Sequence, residues 1–423
     1  MVGIADRNGA VAPDRADTII EATAQQAPDP AAFEQLLAIT GALSDTPLYD
    51  DSRVQLLIDG PATYAAMLES IRSASRVILL ETYIFADDEI GQKFAQQLIA
   101  KSQQGVQVRI IYDSLGSVTS KDSFFESMQA AGIEIIEFHN LNPLEGGNPL
   151  NFNVRDHRKL LMVDGTVAYT GGINLSNTYS SSSKDRKRKD PKADGWRDTH
   201  IAVYGPAVQG FEKIFRDNWT EHGGKPFDLT EPEGGHNAAG EEIVAVLSAQ
   251  GGDGEESPIF HAYLDAMKVA RHRIWITQAY FAPDEGFLDE LGDAARRGVD
   301  VRVIVPGVSD SQLVLNASRS RYGRLLEAGV RIYESSSSLL HAKTAVIDGI
   351  WSTVGSSNLD YRSFLHNDEV NAVVFGVSFA RSLEDQFLDD IAESRAISLD
   401  EWHDRSLFKR VKEWISWPLE YWL

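Results

Sequence analysis

Two stretches carry side chains able to do chemistry together. In the first, His157 and Lys159 precede the apolar run 160–163, then Asp164-Gly165, the run 167–170, Gly171, Gly172 and Asn174. In the second, His341 and Lys343 precede Asp348-Gly349, then Gly355, Ser356 and Asn358 at the same spacing. Alternate side chains of a strand share a face, so each His and Lys point the same way. Asp-Gly is a tight-hairpin signal. Each stretch therefore predicts an imidazole and an ammonium side by side at the end of a rigid hairpin. A neutral imidazole can attack or take a proton, a protonated one can give it, and an ammonium supplies positive charge. One His-x-Lys arises readily by chance; two long copies in register do not.

The elements that must position these hairpins also repeat. Strands are expected over 76–85, 105–112 and 132–138, with helices over 61–74, 90–102 and 124–131 between them. The strands at 273–280 and 298–305 and the stretch 328–333 match the first set in order and register. The alternation implies α/β architecture: two pseudo-symmetric halves, each a mixed, mostly parallel sheet with helices on both faces. The repeat is too long for a solenoid unit. Expected divisions are 1–45, a tail with a short helix at 31–40; 46–230 and 231–400, the two halves; and 401–423, an amphipathic end. The first thirty residues, rich in Ala, Asp and Pro, read as mobile. The boundary between halves is expected within 223–240.

The 423 residues contain no cysteine, which excludes disulfides and cysteine-held metals. Net charge is −22, from 62 acids against 40 bases. That argues against a general nucleic-acid binder. An anionic lipid would have to be met by a local basic patch. No apolar run is long enough for a transmembrane helix, and the first residues lack the pattern of a secretory signal.

The pattern His-x-Lys-x4-Asp-x6-Gly-Gly/Ser resembles the HKD motif of the phospholipase D superfamily. Leu80-Glu-Thr-Tyr-Ile-Phe85 and Val354-Gly-Ser-Ser-Asn-Leu-Asp-Tyr-Arg-Ser363 look like its cardiolipin synthase branch. The resemblance spans about residues 51–390. It implies two phospholipase D-like halves sharing one site for a phosphodiester. Catalytic positions would be His157, Lys159, Asp164, His341, Lys343 and Asp348, although the two aspartates, at hairpin turns, read as structural. Lys159 and Lys343 would supply charge, and Asn174 and Asn358 amide donors, to the phosphate. Ser176 and Ser357 are weaker candidates. His157 would be the nucleophile, forming a phosphohistidine, and His341 the acid and base. By the resemblance Asp198 orients His157 and Glu369 orients His341, each acid serving its own half.

The activity so implied is phosphatidyl transfer from phosphatidylglycerol to a second phospholipid hydroxyl. The alternatives are a phospholipase D using water, a nuclease disfavoured by charge, and a catalytically silent scaffold disfavoured by two intact motifs. No metal or other cofactor is needed on the two-histidine chemistry. The expected enzyme is an active monomer, peripheral on the cytoplasmic side of the membrane, without nucleic-acid partners. Cardiolipin synthases commonly begin with membrane-spanning helices, a pattern from which this chain departs. Two segments read as membrane contacts: the basic loop 184–192, inserted between Asn174 and Asp198, and the striped stretch 407–423 with Trp414, Trp417 and Trp422.

Overall fold

A computed structural model of the chain describes residues 3–140, 153–183, 195–228, 240–252, 257–309, 311–336 and 338–405. In the first half, strands Val77–Thr82, Gln107–Asp113 and Glu134–Phe138 run parallel. The motif hairpin, Lys159–Val163 and Val167–Gly171, joins the free edge of Val77–Thr82 antiparallel. Thr199–Tyr204 and Leu48–Ile58 extend that antiparallel wing. The second half repeats the order. Arg273–Gln278, Asp300–Pro306 and Arg331–Ser335 are parallel, and the hairpin Lys343–Ile347 and Trp351–Gly355 is followed by Asn367–Phe375 and Glu242–Ala249.

Period-two patterning explains the layers. Ile78, Leu80, Leu161 and Val163 face an outer core under helices Asp59–Ser73, Glu89–Gln103 and Asp122–Ala130. Val77, Leu79, Leu160 and Met162 face the other way, into a core shared with Val244, Val246, Val354 and Ala372 of the second half. Helices Val208–Glu221 and Val377–Ala392 contribute Phe211, Phe215, Phe379 and Leu383 to that shared layer. The two sheets therefore pack through their inner faces, and the halves are one body.

The N-terminal stretch departs from the sequence expectation. It is ordered from residue 3, with Ile4–Asp6 pairing parallel to Leu48–Ile58 and helix Pro13–Ala24 starting on a proline. Its composition is polar, but Ile4, Ala16, Ala24 and Ala27 sit in the core of the second half beside Phe33, Leu36 and Leu37. Small apolar side chains pack closely without forming a conspicuous hydrophobic run, which is why composition alone reads as a tail. The helix expected over 31–40 spans Pro30–Leu43 and runs through Gly41.

Candidate active site

Both hairpins turn on their motif aspartates. Asp164 and Asp348 adopt φ of 53° and 51°, each followed by a glycine at 67°, the left-handed pair that a tight hairpin requires. The Asp164 carboxylate accepts the backbone N–H groups of Ser75, Arg76 and Val77 at 2.7–2.8 Å. That of Asp348 accepts those of Arg271, His272 and Arg273 at 2.8–2.9 Å. Each aspartate clamps its hairpin to the helix–strand connection beside it, at the end of the strand remote from the histidine.

At the other end the two halves cross. Arg155–Asp156 pairs parallel with Asn367–Asp368, and the His157 backbone N–H donates to the Asp368 carbonyl at 2.9 Å. Likewise the His341 N–H donates to the Arg197 carbonyl at 2.8 Å. Each histidine is thus held one residue before the acid of the opposite half. His157 Nδ1 lies 3.0 Å from Glu369, and His341 Nδ1 lies 2.8 Å from Asp198. The pairing implied by the family resemblance, Asp198 with His157 and Glu369 with His341, is therefore reversed. The reason is this exchange of backbone across the pseudo-dyad, which motif spacing within one half does not reveal. Gly172 makes room for the arrangement, since a Cβ there would stand 2.2 Å from Asp198 Oδ1.

The lysines lie behind the histidines. Lys159 Nζ and Lys343 Nζ each donate to the carbonyl of their own motif histidine at 2.5 Å. Both histidines line a cavity of about 300 Å³, along with Asn174 and Asn358. Asn174 is already engaged: its Oδ1 accepts from Ile84 N–H at 3.2 Å, and its Nδ2 donates to the Tyr179 hydroxyl at 3.1 Å. Asn358 Oδ1 is buried without a hydrogen-bond partner among the described residues. Ser176 supports a short turn, donating to Asp88 at 3.2 Å, and Ser357 donates to the Asn358 carbonyl at 3.2 Å. Neither serine lines the cavity.

Comparison with known proteins places the chain in a family. The family model described as "Cardiolipin synthase, PLD-like domain" matches residues 67–186 and 263–391. The cardiolipin synthase of Geobacillus sp. (strain WCH70) is 35% identical over 386 residues, covering 90% of this chain and 74% of its own. Cardiolipin synthase 2 of Bacillus anthracis is 35% identical over 381 residues, covering 90% and 72%. The chain belongs to the cardiolipin synthase family. It is a phosphatidyltransferase of the phospholipase D superfamily. Among solved structures, the phosphatidylserine synthase of Haemophilus influenzae Rd KW20 shares the fold with a TM-score of 0.64 at 13% identity, over 92% of this chain and 100% of that one. A polyphosphate kinase from Porphyromonas gingivalis reaches 0.54 at 13% identity, over 82% and 49%.

In this family member the cavity has further walls that motif reading missed. Tyr83 packs edge-on against His157 with ring centroids 5.2 Å apart. Trp196 and Tyr179 pack against His341 at 5.2 and 5.7 Å. Arg155 and Arg362 line the same cavity. Tyr83 and Tyr280 lie just past the ends of the matched strands and are legible as a pair; Trp196, just past the inserted loop, has no counterpart to mark it. The insertion itself, 184–192, and the stretch 407–423 lie outside the described residues. No helix among the described residues is long and apolar enough to cross a membrane.

Burial dominates the electrostatics. It pushes the His157 imidazole down to about 4, with the Lys159 ammonium adding to the fall and Glu369 opposing it. It pulls Lys159 down to about 7, again against Glu369. Glu369, despite its burial, is held at about 2 by His157, Lys159 and Ser356. His341 is lowered by burial and by Lys343, whose Nζ lies 3.0 Å from Nδ1 and 3.2 Å from Nε2 of its ring. Near pH 7 the cavity holds neutral imidazoles over ionised acids, with Lys159, behind His157, near the middle of its titration.

Proposed function

We propose that the enzyme transfers a phosphatidyl group from phosphatidylglycerol to the hydroxyl of a second phospholipid through a phosphohistidine at His157. The observation that carries this reading is the crossed pair of histidines. Each has its Nδ1 held by a buried carboxylate, and both rings line the shared cavity. His157 Nε2 attacks phosphorus. The P–O bond to glycerol breaks, and the leaving oxygen takes the His341 proton. The hydroxyl of the incoming lipid then returns a proton to His341 as its oxygen attacks phosphorus and the P–N bond breaks. With phosphatidylglycerol as donor and acceptor, the products are cardiolipin and glycerol.

Neutral His157 suits the nucleophile. His341, lowered by burial and by Lys343, would be raised when an anionic phosphate offsets the lysine charge. Lys159 and Lys343, behind the histidines, would supply positive charge to the equatorial oxygens. Both motifs belong to one chain, which supports an active monomer. We place the enzyme peripherally on the cytoplasmic face of the membrane, held by residues 407–423; deleting them should release folded protein from vesicles.

The decisive assay supplies phosphatidylglycerol in detergent and separates the products. Cardiolipin and glycerol in equal amounts are expected. Phosphatidic acid and glycerol without cardiolipin would make the enzyme a hydrolase. Acid-quenched enzyme should carry labelled phosphatidyl on His157; label on His341 would reverse the two roles.

A further inference from the structure

The halves continue to match beyond their motif asparagines. Residues 174–179 read Asn-Leu-Ser-Asn-Thr-Tyr, and residues 358–363 read Asn-Leu-Asp-Tyr-Arg-Ser. The matched positions Thr178 and Arg362 both line the central cavity. The pseudo-dyad therefore relates a neutral hydroxyl to a guanidinium, and this end of the cavity is asymmetric in charge.

Arg362 is also unlike the other arginines near the site. Arg155, Arg158 and Arg197 each face buried or half-buried carboxylates, namely Asp113 at 3.5 Å, Glu81 at 3.5 Å and Asp390 at 2.7 Å. Arg362 makes two long hydrogen bonds to neutral groups: Nη1 to Asn153 Oδ1 at 3.4 Å and Nη2 to the Asn153 carbonyl at 3.3 Å. No carboxylate among the described residues forms an ion pair with it. Its neighbour Asp360 is committed to helix capping, accepting the Ser363 N–H at 2.8 Å. A half-buried guanidinium with two weak neutral partners, at the wall of a reaction cavity, fits an anion that arrives from outside.

That anion need not be the reacting phosphate, for which Lys159 and Lys343 already stand behind the histidines. A second phosphate is available in the chemistry. The acceptor phospholipid carries its own phosphodiester, one glycerol unit from the hydroxyl that attacks. A guanidinium fork matches two phosphate oxygens, and a neutral acceptor such as water or glycerol offers it nothing.

We propose that Arg362 binds the phosphodiester of the acceptor phospholipid and so selects an anionic lipid acceptor over water and neutral alcohols. The proposal rests on the transferase reading above. In the second step the phosphate at Arg362 places the lipid hydroxyl beside the phosphohistidine. The hydroxyl oxygen then forms the new P–O bond as the P–N bond breaks and the proton passes to His341. Thr178, on the related wall, offers a hydroxyl and no charge, so only one side of the cavity would discriminate between acceptors.

The test partitions one donor between two acceptors. Purified enzyme is given phosphatidylglycerol in detergent with labelled glycerol. Label entering phosphatidylglycerol measures transfer to a neutral alcohol, and cardiolipin measures transfer to the anionic lipid. In Arg362→Met the ratio of cardiolipin to glycerol exchange should fall roughly tenfold or more, the size of one lost charge-assisted contact, while exchange persists. Arg362→Lys should lie between. If Arg362→Met is unfolded by circular dichroism, Arg362→Gln takes its place. An unchanged ratio overturns the proposal, as does a parallel fall in both products, which would assign Arg362 to the donor or to the fold. Wild-type enzyme that exchanges glycerol but makes no cardiolipin would instead overturn the reading that a second phospholipid is the acceptor.

Discussion

The half that carries His157 and the half that carries His341 share every turn of their hairpins, yet they support their histidines by different means. Around the first motif the strands bury charge. Arg158 reaches Glu81 and Asp368, both at 3.5 Å, and Arg155 reaches Asp113 at the same distance. At the matched positions of the second half stand Ala342, Gln278, Leu339 and Pro306. There His341 is surrounded by rings, those of Trp196, Tyr179 and Tyr280, with centroids 5.2–6.3 Å away. What both halves keep is the carboxylate on Nδ1, the lysine behind the ring and the aspartate at the turn. The duplicated features are those the reaction uses twice, and the divergent ones are those through which the two histidines can take different roles.

The largest effect expected from breaking this comparison is loss of either histidine. His157→Ala and His341→Ala should each lower turnover by several orders of magnitude, and the double variant should be little worse, because nucleophile and proton carrier act as one unit. Either single variant retaining a tenth of wild-type turnover would show that the site is not shared.

Next in size are the crossed acids. Glu369→Gln and Asp198→Asn should each cost on the order of a hundredfold to ten-thousandfold, through a mis-set imidazole. The informative readout is which ring responds. In histidine-labelled protein followed by NMR, Glu369→Gln should shift the titration of His157 and leave that of His341 in place, and Asp198→Asn the reverse. A response within the same half would contradict the exchange of strands seen at Asp368 and Arg197.

That exchange marks where sequence reading stopped. The hairpins, their turn aspartates and the order of strands were legible because each rests on local rules: period two, Asp-Gly, and β-α-β alternation. His157, His341 and the two lysines were legible because they recur. Which acid meets which histidine depends on a contact more than 140 residues away in sequence, at an interface with no local signature. The N-terminal stretch failed for a related reason. Its alanines pack on the far half, and short polar-looking helices declare no partner.

The pH dependence sharpens the comparison further. For kcat/KM, which reports the free enzyme, His157 must be neutral, so activity should rise through about pH 4. Lys159 must be charged, so activity should fall as pH climbs past about 7. Lys159→Arg, if active, should carry the plateau to higher pH. A wild-type plateau reaching pH 9 would mean that Lys159 is not the group that titrates. The same burial sets acid stability. His157 and His200 are pushed to about 4 and about 3, below the 6.5 of an unfolded chain. The unfolded chain therefore binds protons that the folded one refuses. Stability from these groups is full above 6.5 and is lost as pH falls toward 4.

The smallest effect on catalysis, and the clearest test of why the halves differ, lies at Arg158. Its side chain points away from the cavity into the layer between the sheets. There it also donates to Ser248 and to the Ala249 carbonyl at 3.1 Å. Around it stand Glu81, Asp156 and Asp368, all buried, and Asn218 donates to Glu81 at 2.9 Å. Burial pushes Glu81 up, and burial together with Glu81 pushes Asp156 well above the usual carboxylate range, so Arg158 is what makes the acids tolerable. Arg158→Ala gives the first half the residue that the second half has at Ala342. It should cost about 3–5 kcal/mol in urea unfolding, since it strands buried acids without their cation. Adding Glu81→Gln reproduces the second half's Gln278 and removes one of those acids, so the double variant should recover part of the loss. Glycerol exchange by the folded single variant should stay within about tenfold of wild type, because no atom of Arg158 lines the reaction cavity. If Arg158→Ala unfolds within 1 kcal/mol of wild type, the charges are incidental, and the first half could have been built on the uncharged plan of the second.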